Sequence, residues 1–281
     1  MIELQRYNNV QQFKEDIISF LEQFEGENNL PLGVLMNLKQ AENPRYMATV
    51  MKDDQLALVL LQTKPEQLIV SKPALLSGDD ITDLANRLYA DYNSIPGIIG
   101  EAKLVKALAR EIANLSKRDA KIQMEQRIYV LKQIRKKPSS RGSLRLPVNR
   151  EFSLIEDWVY KFGAEVGFPF SSKEEAAEKA HEIIKQNRLY IWEVDGVPVS
   201  MACAQRPTKT NITVGFVYTP PEERKKGYAS DCVSALTECL LQSGYRTTSL
   251  YTNLANPTSN KIYMEIGYEP VMDSTLIHFT S

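Results

Sequence analysis

The fold is decided by the stretch Ile212-Thr-Val-Gly-Phe-Val-Tyr-Thr-Pro-Pro-Glu-Glu-Arg-Lys-Lys-Gly-Tyr-Ala-Ser230. Apolar residues alternate with other residues up to Tyr218, which is typical of a strand with one buried face. The Pro220-Pro221 pair cannot continue the hydrogen-bonded ladder of a strand. From Ala229 onward the apolar residues recur at helical spacing. The stretch therefore predicts a strand, a turn and an amphipathic helix.

The turn between this strand and this helix, residues 224 to 229, predicts an anion site. None of Lys225, Lys226 and Gly227 has a side-chain oxygen that could cap the first N–H groups of the helix. Unpaired amides at the positive end of a helix dipole bind phosphate, and Gly227 allows the backbone to approach the ligand closely. The alternative is a turn whose amides face water beside two surface lysines.

A second segment, Asn256 to Tyr268, predicts a short helix with clear limits. Asn256 suits the N-cap, Pro257 the first helical position and Gly267 the exit. Asn256 and Tyr263 are seven residues apart, so at ~100° per residue both project from nearly the same face.

The two segments resemble the GNAT superfamily of acyl-CoA-dependent N-acyltransferases. The pyrophosphate loop of that superfamily has the pattern Arg or Gln, two residues, Gly, one residue, Gly or Ala, and Arg224, Gly227 and Ala229 match it. The helix after the fifth strand of the family matches at Asn256, Ser259, Tyr263, Gly267 and Tyr268. The likeness runs from residue 189 to residue 279, with both motifs in the expected order, and residues 217 to 267 look like the glycine N-acyltransferase-like branch.

The resemblance implies a cofactor site and a reaction. In the family the fourth strand is splayed from the fifth and pairs with the pantetheine arm, the loop wraps the pyrophosphate, and a tyrosine protonates the departing thiolate. Tyr263 is the catalytic residue that this implies. The residues expected to contact acetyl-CoA are Val217, Tyr218, Thr219, Arg224, Lys225, Lys226, Gly227, Tyr228, Ala229, Ser230 and Asn256. In the alternative interpretation Tyr263 only packs and Asn256 only caps its helix.

The order of predicted elements is repeated along the chain. Helices are predicted at 10–24, 30–38, 81–92, 102–115, 152–166, 174–185, 228–241 and 257–266, and strands at 46–51, 56–61, 68–70, 95–99, 122–134, 189–194, 197–204, 212–218, 248–252 and 276–279. The fold class predicted is α/β (α+β), with two GNAT-like domains, each a mixed, mostly antiparallel sheet flanked by helices. The domains predicted are 1–135, a basic linker at 136–150, and a catalytic domain at 151–281. The linker is interpreted either as a solvated connector or as a positive rim for a phosphorylated ligand.

The first half departs from the family pattern. Residues 70 to 80 contain no pyrophosphate-loop motif, and Asp79 and Asp80 stand where phosphate should bind. Two carboxylates repel an anion. The first half is therefore expected to be degenerate, to bind no CoA and to pack against the second half.

Composition limits the classes of function. The chain has 281 residues, 34 basic and 35 acidic side chains and a net charge of -1, which gives no general attraction to nucleic acid or membrane. Its three cysteines fit neither a disulfide framework nor zinc spacing, so no metal is expected. There is no apolar run of ~18 residues and no signal-peptide pattern, so a cytoplasmic location is expected.

The function predicted is acetyl-CoA-dependent N-acetyl transfer by direct attack of a primary amine, with Tyr263 as general acid. The expected partner is a small-molecule amine, and no oligomeric state is predicted. The alternative is a non-catalytic acyl-CoA-binding or regulatory module. Motifs for nucleotide hydrolysis, dinucleotide binding, zinc proteolysis and serine hydrolysis do not occur in the sequence.

Overall fold

The computed structural model describes residues 1–38, 44–92, 94–139, 141–167 and 169–280. By internal contacts the chain divides into two units. Unit 1 comprises Met1–Ile128, Thr252–Ala255 and Pro270–Ser281, and unit 2 comprises Tyr129–Tyr251 and Asn256–Glu269. The domain boundaries stated above stay a prediction, and this division differs from them chiefly by placing the C-terminal strand in unit 1.

Unit 1 is a mixed sheet with helices on both faces. Its helices are α1 (Val10–Leu21), α2 (Asn29–Asn37), α3 (Gly78–Asp91) and α4 (Ala102–Ser116), and its strands are β1 (Ile2–Arg6), β2 (Tyr46–Lys52), β3 (Gln55–Gln62), β4 (Leu68–Val70), β5 (Gly97–Glu101), most of β6 (Asp119–Leu131) and nearly all of β12 (Glu269–Thr280). The strand order is β1-β2-β3-β4-β5-β12-β6, with β4 and β5 parallel. Helices α3 and α4 pack in one apolar cluster of the unit, and α1 and α2 pack in another.

Unit 2 repeats the same plan. Its helices are α5 (Phe152–Glu165), α6 (Lys173–Lys185), α7 (Tyr228–Gln242) and α8 (Pro257–Ile266), and its strands are β7 (Ser143–Arg145), β8 (Leu189–Val194), β9 (Val197–Gln205), β10 (Asn211–Tyr218) and β11 (Thr247–Asn253), with the end of β6 beside β11. The strand order is β6-β11-β10-β9-β8-β7, with β10 and β11 parallel. Helices α7 and α8 pack in one apolar cluster, and α5 and α6 pack in the other.

The predicted fold class is confirmed, because mixed sheets flanked by helices occur in both units in the repeated order. Two short edge strands, β1 and β7, were not expected from the sequence. Each precedes the first helix of its half and pairs antiparallel with the strand that follows the helix pair. The structural repeat is thus longer than the sequence pattern indicates.

The segment expected to be a linker, residues 136–150, is largely built into unit 2; its residue 140 lies outside the described residues. β7 pairs with β8, and the Arg145 guanidinium binds the carboxylates of Glu151 and Glu193. Ser139 donates both its N–H and its hydroxyl to Asp231 of α7. Arg145 thus has acidic partners 6 and 48 residues further along the chain, which a charge count along the segment does not show.

Candidate functional site

The parallel strands β10 and β11 separate before either of them ends. Their pairing runs from Asn211–Thr247 to Val214–Leu250, although β10 continues to Tyr218. The register of β10 against β9 shifts between Gly215 and Tyr218, and Phe216 has a φ of 49°. A shift of this kind is a β-bulge, which bends the strand and re-aims its backbone groups. The strands separate just before residues 217 to 219, which the resemblance to the GNAT superfamily implies as the contacts of the pantetheine arm.

Helix α7 begins beside this gap without a side-chain cap. Its N-cap is Gly227 with a φ of 90°, and no side chain accepts a hydrogen bond from the first turn. Lys225 is also left-handed, with a φ of 63°. Within the part of the chain that the structure describes, the amides of residues 225 to 230 have no hydrogen-bond partner. Left-handed turn residues direct successive N–H groups into one concavity, which suits an anion.

Ser230 adds a buried polar group to this helix end. The residue is 5% exposed, and its Oγ has no hydrogen-bond partner among the described residues. A buried hydroxyl without a partner costs stability unless a ligand or water satisfies it.

The charged side chains of the turn hold it in place. The Arg224 Nε donates to the carbonyl of Thr219 over 2.9 Å, and its guanidinium also lies 2.6 Å from Glu165. The Lys226 ammonium is paired with Glu223 at 2.9 Å. Arg224 thus ties the turn to the end of β10. Lys225 is exposed, and no ion pair of its side chain is present among the described residues.

Tyr263 of α8 lies in the apolar cluster that also contains Val217 and Tyr228. Burial is the main cause that raises the pKa of its phenol, the neighbouring Tyr268 and Cys232 act in the same direction, and a hydrogen bond with Ser259 acts against them. The phenol is therefore protonated at neutral pH and can donate.

Asn256 caps helix α8. Its side-chain oxygen accepts a hydrogen bond from the Ser259 amide over 3.0 Å, and the residue is exposed. This capping role is the structural alternative stated for Asn256 above, and its contact with a cofactor stays a prediction.

The corresponding helix end in unit 1 is closed by its own side chains. The Ser77 hydroxyl accepts from the Asp80 amide, and the Asp80 carboxylate accepts from both the amide and the hydroxyl of Ser77. Lys52 binds the same carboxylate at 2.7 Å, and these contacts lower the pKa of Asp80, the lysine most of all. At α3, therefore, the amide of Asp80 has a hydrogen-bond partner, whereas the corresponding amides at the start of α7 have none among the residues that the structure describes. The Asp80 carboxylate also places a negative charge at this end of α3.

Sequence reasoning missed two features near the site. Phe216 in the bulge stacks on Phe162 of α5, with ring centroids 4.9 Å apart. Asp231, in the first turn of α7, accepts hydrogen bonds from the backbone N–H and the hydroxyl of Ser139. Both contacts join residues that are distant in sequence. In the sequence, only the position of Asp231 near the start of a predicted helix indicated that its side chain could contact a neighbouring segment.

The remaining candidates lie elsewhere. The side chain of His181 is exposed and pairs with Glu156, and His278 lies on β12 in unit 1. Among the described residues there is no group of three or more His, Cys, Asp and Glu residues that could hold a metal ion. In the same residues, no helix has both the length and the apolar character to span a membrane.

Comparison with known proteins concerns the family and the fold. Residues 154–268 match the model of the acetyltransferase (GNAT) family. No protein of curated function matches the sequence. Among solved structures, a GNAT-family acetyltransferase from Colwellia psychrerythraea has a TM-score of 0.60 at 10% identity, covering 99% of this chain and 100% of that one.

Two other solved structures also cover nearly the whole chain. A Drosophila protein has a TM-score of 0.66 at 13% identity, with 99% of this chain and 98% of that chain covered. A tandem GNAT protein from the clavulanic acid biosynthesis pathway has a TM-score of 0.55 at 11% identity, with the same shares covered. At these identities the likeness shows the fold alone.

Proposed function

We propose that this chain, whose residues 154–268 match the model of the acetyltransferase (GNAT) family, is an N-acetyltransferase that moves an acetyl group from acetyl-CoA to a primary amine. The observation that carries the proposal is the open end of α7. The amides of residues 225 to 230 have no hydrogen-bond partner among the described residues, and they lie next to the gap between β10 and β11.

These groups fit the parts of acetyl-CoA. The diphosphate takes the amides of residues 225 to 230, the buried Ser230 hydroxyl donates to it, and Lys225 supplies charge. The pantetheine arm pairs with the backbone of residues 217 to 219, where β11 no longer does. The residues proposed to bind the cosubstrate are the set predicted from the sequence, with Arg224 shaping the turn and Asn256 lying at the start of α8.

The reaction is a direct displacement. The amine nitrogen attacks the thioester carbon, a C–N bond forms and the C–S bond breaks. The carbonyl oxygen becomes negative in the transition state and accepts a hydrogen bond from the Val217 amide in the bulge. The thiolate takes a proton from the Tyr263 phenol, and the amine releases its extra proton to water.

Two measurements test the proposal. Calorimetry with CoA should show binding with about one site per chain, because α3 in unit 1 is capped by Ser77 and Asp80. Incubation with acetyl-CoA and a panel of small amines should release free thiol in the presence of at least one of them. Absence of CoA binding contradicts the proposal. Binding without turnover for any amine favours the alternative, a non-catalytic acyl-CoA-binding module.

A further inference from the structure

Gly215 occupies a special position in β10. It is the last residue paired with β9 before the bulge, opposite Cys203, and it follows Val214, the last residue paired with β11. Gly215 is not among the glycines of the chain that have a positive φ, which is the conformation that favours glycine over other residues. Backbone conformation therefore does not explain why position 215 is a glycine.

Space does explain it. A Cβ at position 215 would lie 3.3 Å from both Cδ and Oε1 of Gln205 and 3.6 Å from its Nε2. The three nearest atoms are all atoms of one side-chain amide. Gly215 thus leaves room for the Gln205 amide to lie against the strand next to the bulge.

The Gln205 amide lies beside a thiol that stays protonated. Burial raises the pKa of Cys203 to about 12, and Gln205 is a neighbouring side chain that acts against this rise. The thiol donates to the Ala204 carbonyl over 3.5 Å. Among the described residues, the carbonyl oxygen Oε1 of the half-buried Gln205 amide accepts no hydrogen bond.

This oxygen lies on the face of β10 opposite to Tyr263. Gly215 and Cys203 are directly paired and share a face of the sheet, and Cys203 belongs to the cluster with α5 and α6. Tyr263 belongs to the cluster on the α7 face. A nucleophile that approaches from the Gln205 face therefore meets the thioester on the side away from the leaving-group acid.

We propose that Oε1 of Gln205 accepts a hydrogen bond from the acceptor amine and orients its nitrogen toward the thioester carbon. This role rests on the proposed function and assigns a residue on the acceptor side of the same site. Gly215 supports this role because it has no side chain that would occupy the space of the Gln205 amide.

Steady-state kinetics of three variants test this role. Gln205→Leu removes the acceptor oxygen and should raise the KM for the amine about tenfold, the effect of losing one hydrogen bond to the neutral nucleophile. Gln205→Glu keeps an acceptor oxygen and should retain amine affinity. Gly215→Ala should raise the same KM because its methyl group pushes the amide away. CoA affinity measured by calorimetry should stay unchanged in all three variants, which also shows that they are folded.

The double variant Gly215→Ala with Gln205→Leu gives the decisive comparison. If Gly215 acts only through the amide, the alanine should cost nothing further in the leucine background. An unchanged amine KM in Gln205→Leu overturns the proposal, and so do additive effects of the two substitutions. Absence of turnover in the unmodified chain instead contradicts the proposed function, and the role of Gln205 falls with it.

Discussion

Tyr263 illustrates how burial prepares one side chain for one role. The residue is 9% exposed, and its apolar surroundings raise the pKa of the phenol. An ordinary phenol is already protonated at neutral pH, and the raised pKa keeps the proton on the oxygen at higher pH as well. The role of Tyr263 as the proton donor, which the resemblance to the GNAT superfamily implies, stays a prediction.

Removal of the Tyr263 hydroxyl should separate catalysis from binding. Tyr263→Phe should lower turnover by about 10²-fold or more, since general acid catalysis contributes 10²- to 10⁴-fold. CoA affinity should change little, because the diphosphate is proposed to bind at the start of α7. Steady-state rates and calorimetry measure the two quantities.

Tyr268→Phe is the matched control in the same cluster. The Tyr268 hydroxyl is bonded to Thr237 and Thr248, and its ring lies 6.2 Å from that of Tyr263. Its loss should lower the free energy of unfolding by about 1–3 kcal/mol and leave turnover intact. Equal losses of turnover in the two variants would show that Tyr263 acts only by packing.

The sequence predicts residue types at the site better than it predicts their contacts. Arg224, Gly227 and Ala229 follow from a local pattern of six residues. That the Arg224 side chain binds Glu165 does not follow, because this partner lies 59 residues away along the chain. Gln205 carries no local signal at all, since its place is defined by the neighbouring strand.

At the scale of elements, the two halves differ most at one helix end. The first amides of α7 are open, whereas those of α3 face Ser77 and Asp80. A carboxylate at the positive end of a helix occupies the place that an anionic ligand would take. The same element thus has a side-chain cap in unit 1 and an uncapped end in unit 2, where we propose that the diphosphate binds.

A negative side chain at the α7 end should abolish CoA binding. Gly227→Glu places a carboxylate beside the amides of residues 225 to 230, where the diphosphate is proposed to bind, so no heat of CoA binding should remain. Gly244→Glu at the other end of α7 is the control. Both glycines have a positive φ, and a Cβ at either would meet no atom within 4 Å. If both variants bind CoA as the unmodified chain does, the turn is not the diphosphate site.

The cap of α3 should make the stability of unit 1 dependent on pH. The folded pKa of Asp80 is lowered, first by Lys52. Its contribution is therefore complete above the unfolded value of ~3.9 and is lost as the pH falls through the folded value. Asp80→Asn should lower the unfolding temperature at pH 7, and the difference from the unmodified chain should shrink progressively below about pH 4.

Asp79→Asn tests whether any carboxylate in the first turn of α3 would affect the unfolding temperature as Asp80 does. Asp79 is exposed in the same first turn and makes no ion pair among the described residues. It should lower the unfolding temperature much less at pH 7, because only the helix dipole is affected. Equal shifts in the two variants would rule out the Lys52 and Ser77 contacts as the cause.

Elements bounded by polar residues, proline or glycine were predictable, and the two short edge strands were not. The limits of β8, β4 and α8 agree with the sequence pattern, because each is bounded by polar residues, proline or glycine. β7 has three residues and one apolar side chain, so no period can be seen in it. β1 buries only Ile2, and its other residues are exposed or half-buried, so the alternation of buried and exposed side chains is too short to indicate a strand.

At the scale of the whole molecule, the last strand of the chain does not lie beside the strand that precedes it in sequence. β12 follows unit 2 in the chain, yet residues 274 to 278 pair antiparallel with residues 97 to 101 of β5. In unit 1 the strand lies between β5 and β6. A strand pattern predicts that a segment pairs but not with which strand, because backbone donors and acceptors are the same in every strand.

The apolar side chains of β12 belong to the core of unit 1. Leu276, Ile277 and Phe279 are each at most 8% exposed and lie in the clusters of that unit. Burial of each side chain is worth about 1.5–3 kcal/mol. Their sum is a large part of the 5–15 kcal/mol that stabilises a typical domain.

A fragment of residues 1–131 should therefore fail to fold by itself. Without β12 it exposes apolar surface and leaves an open gap between β5 and β6, which favours aggregation. Fusion of residues 270–281 to its C-terminus through a flexible glycine-serine linker should restore a cooperative thermal transition and a monomeric elution volume. The same fusion with Ile277→Asp should not, because the charge would enter an apolar cluster. Cooperative unfolding of the fragment without the added strand would contradict the assignment of β12 to this core.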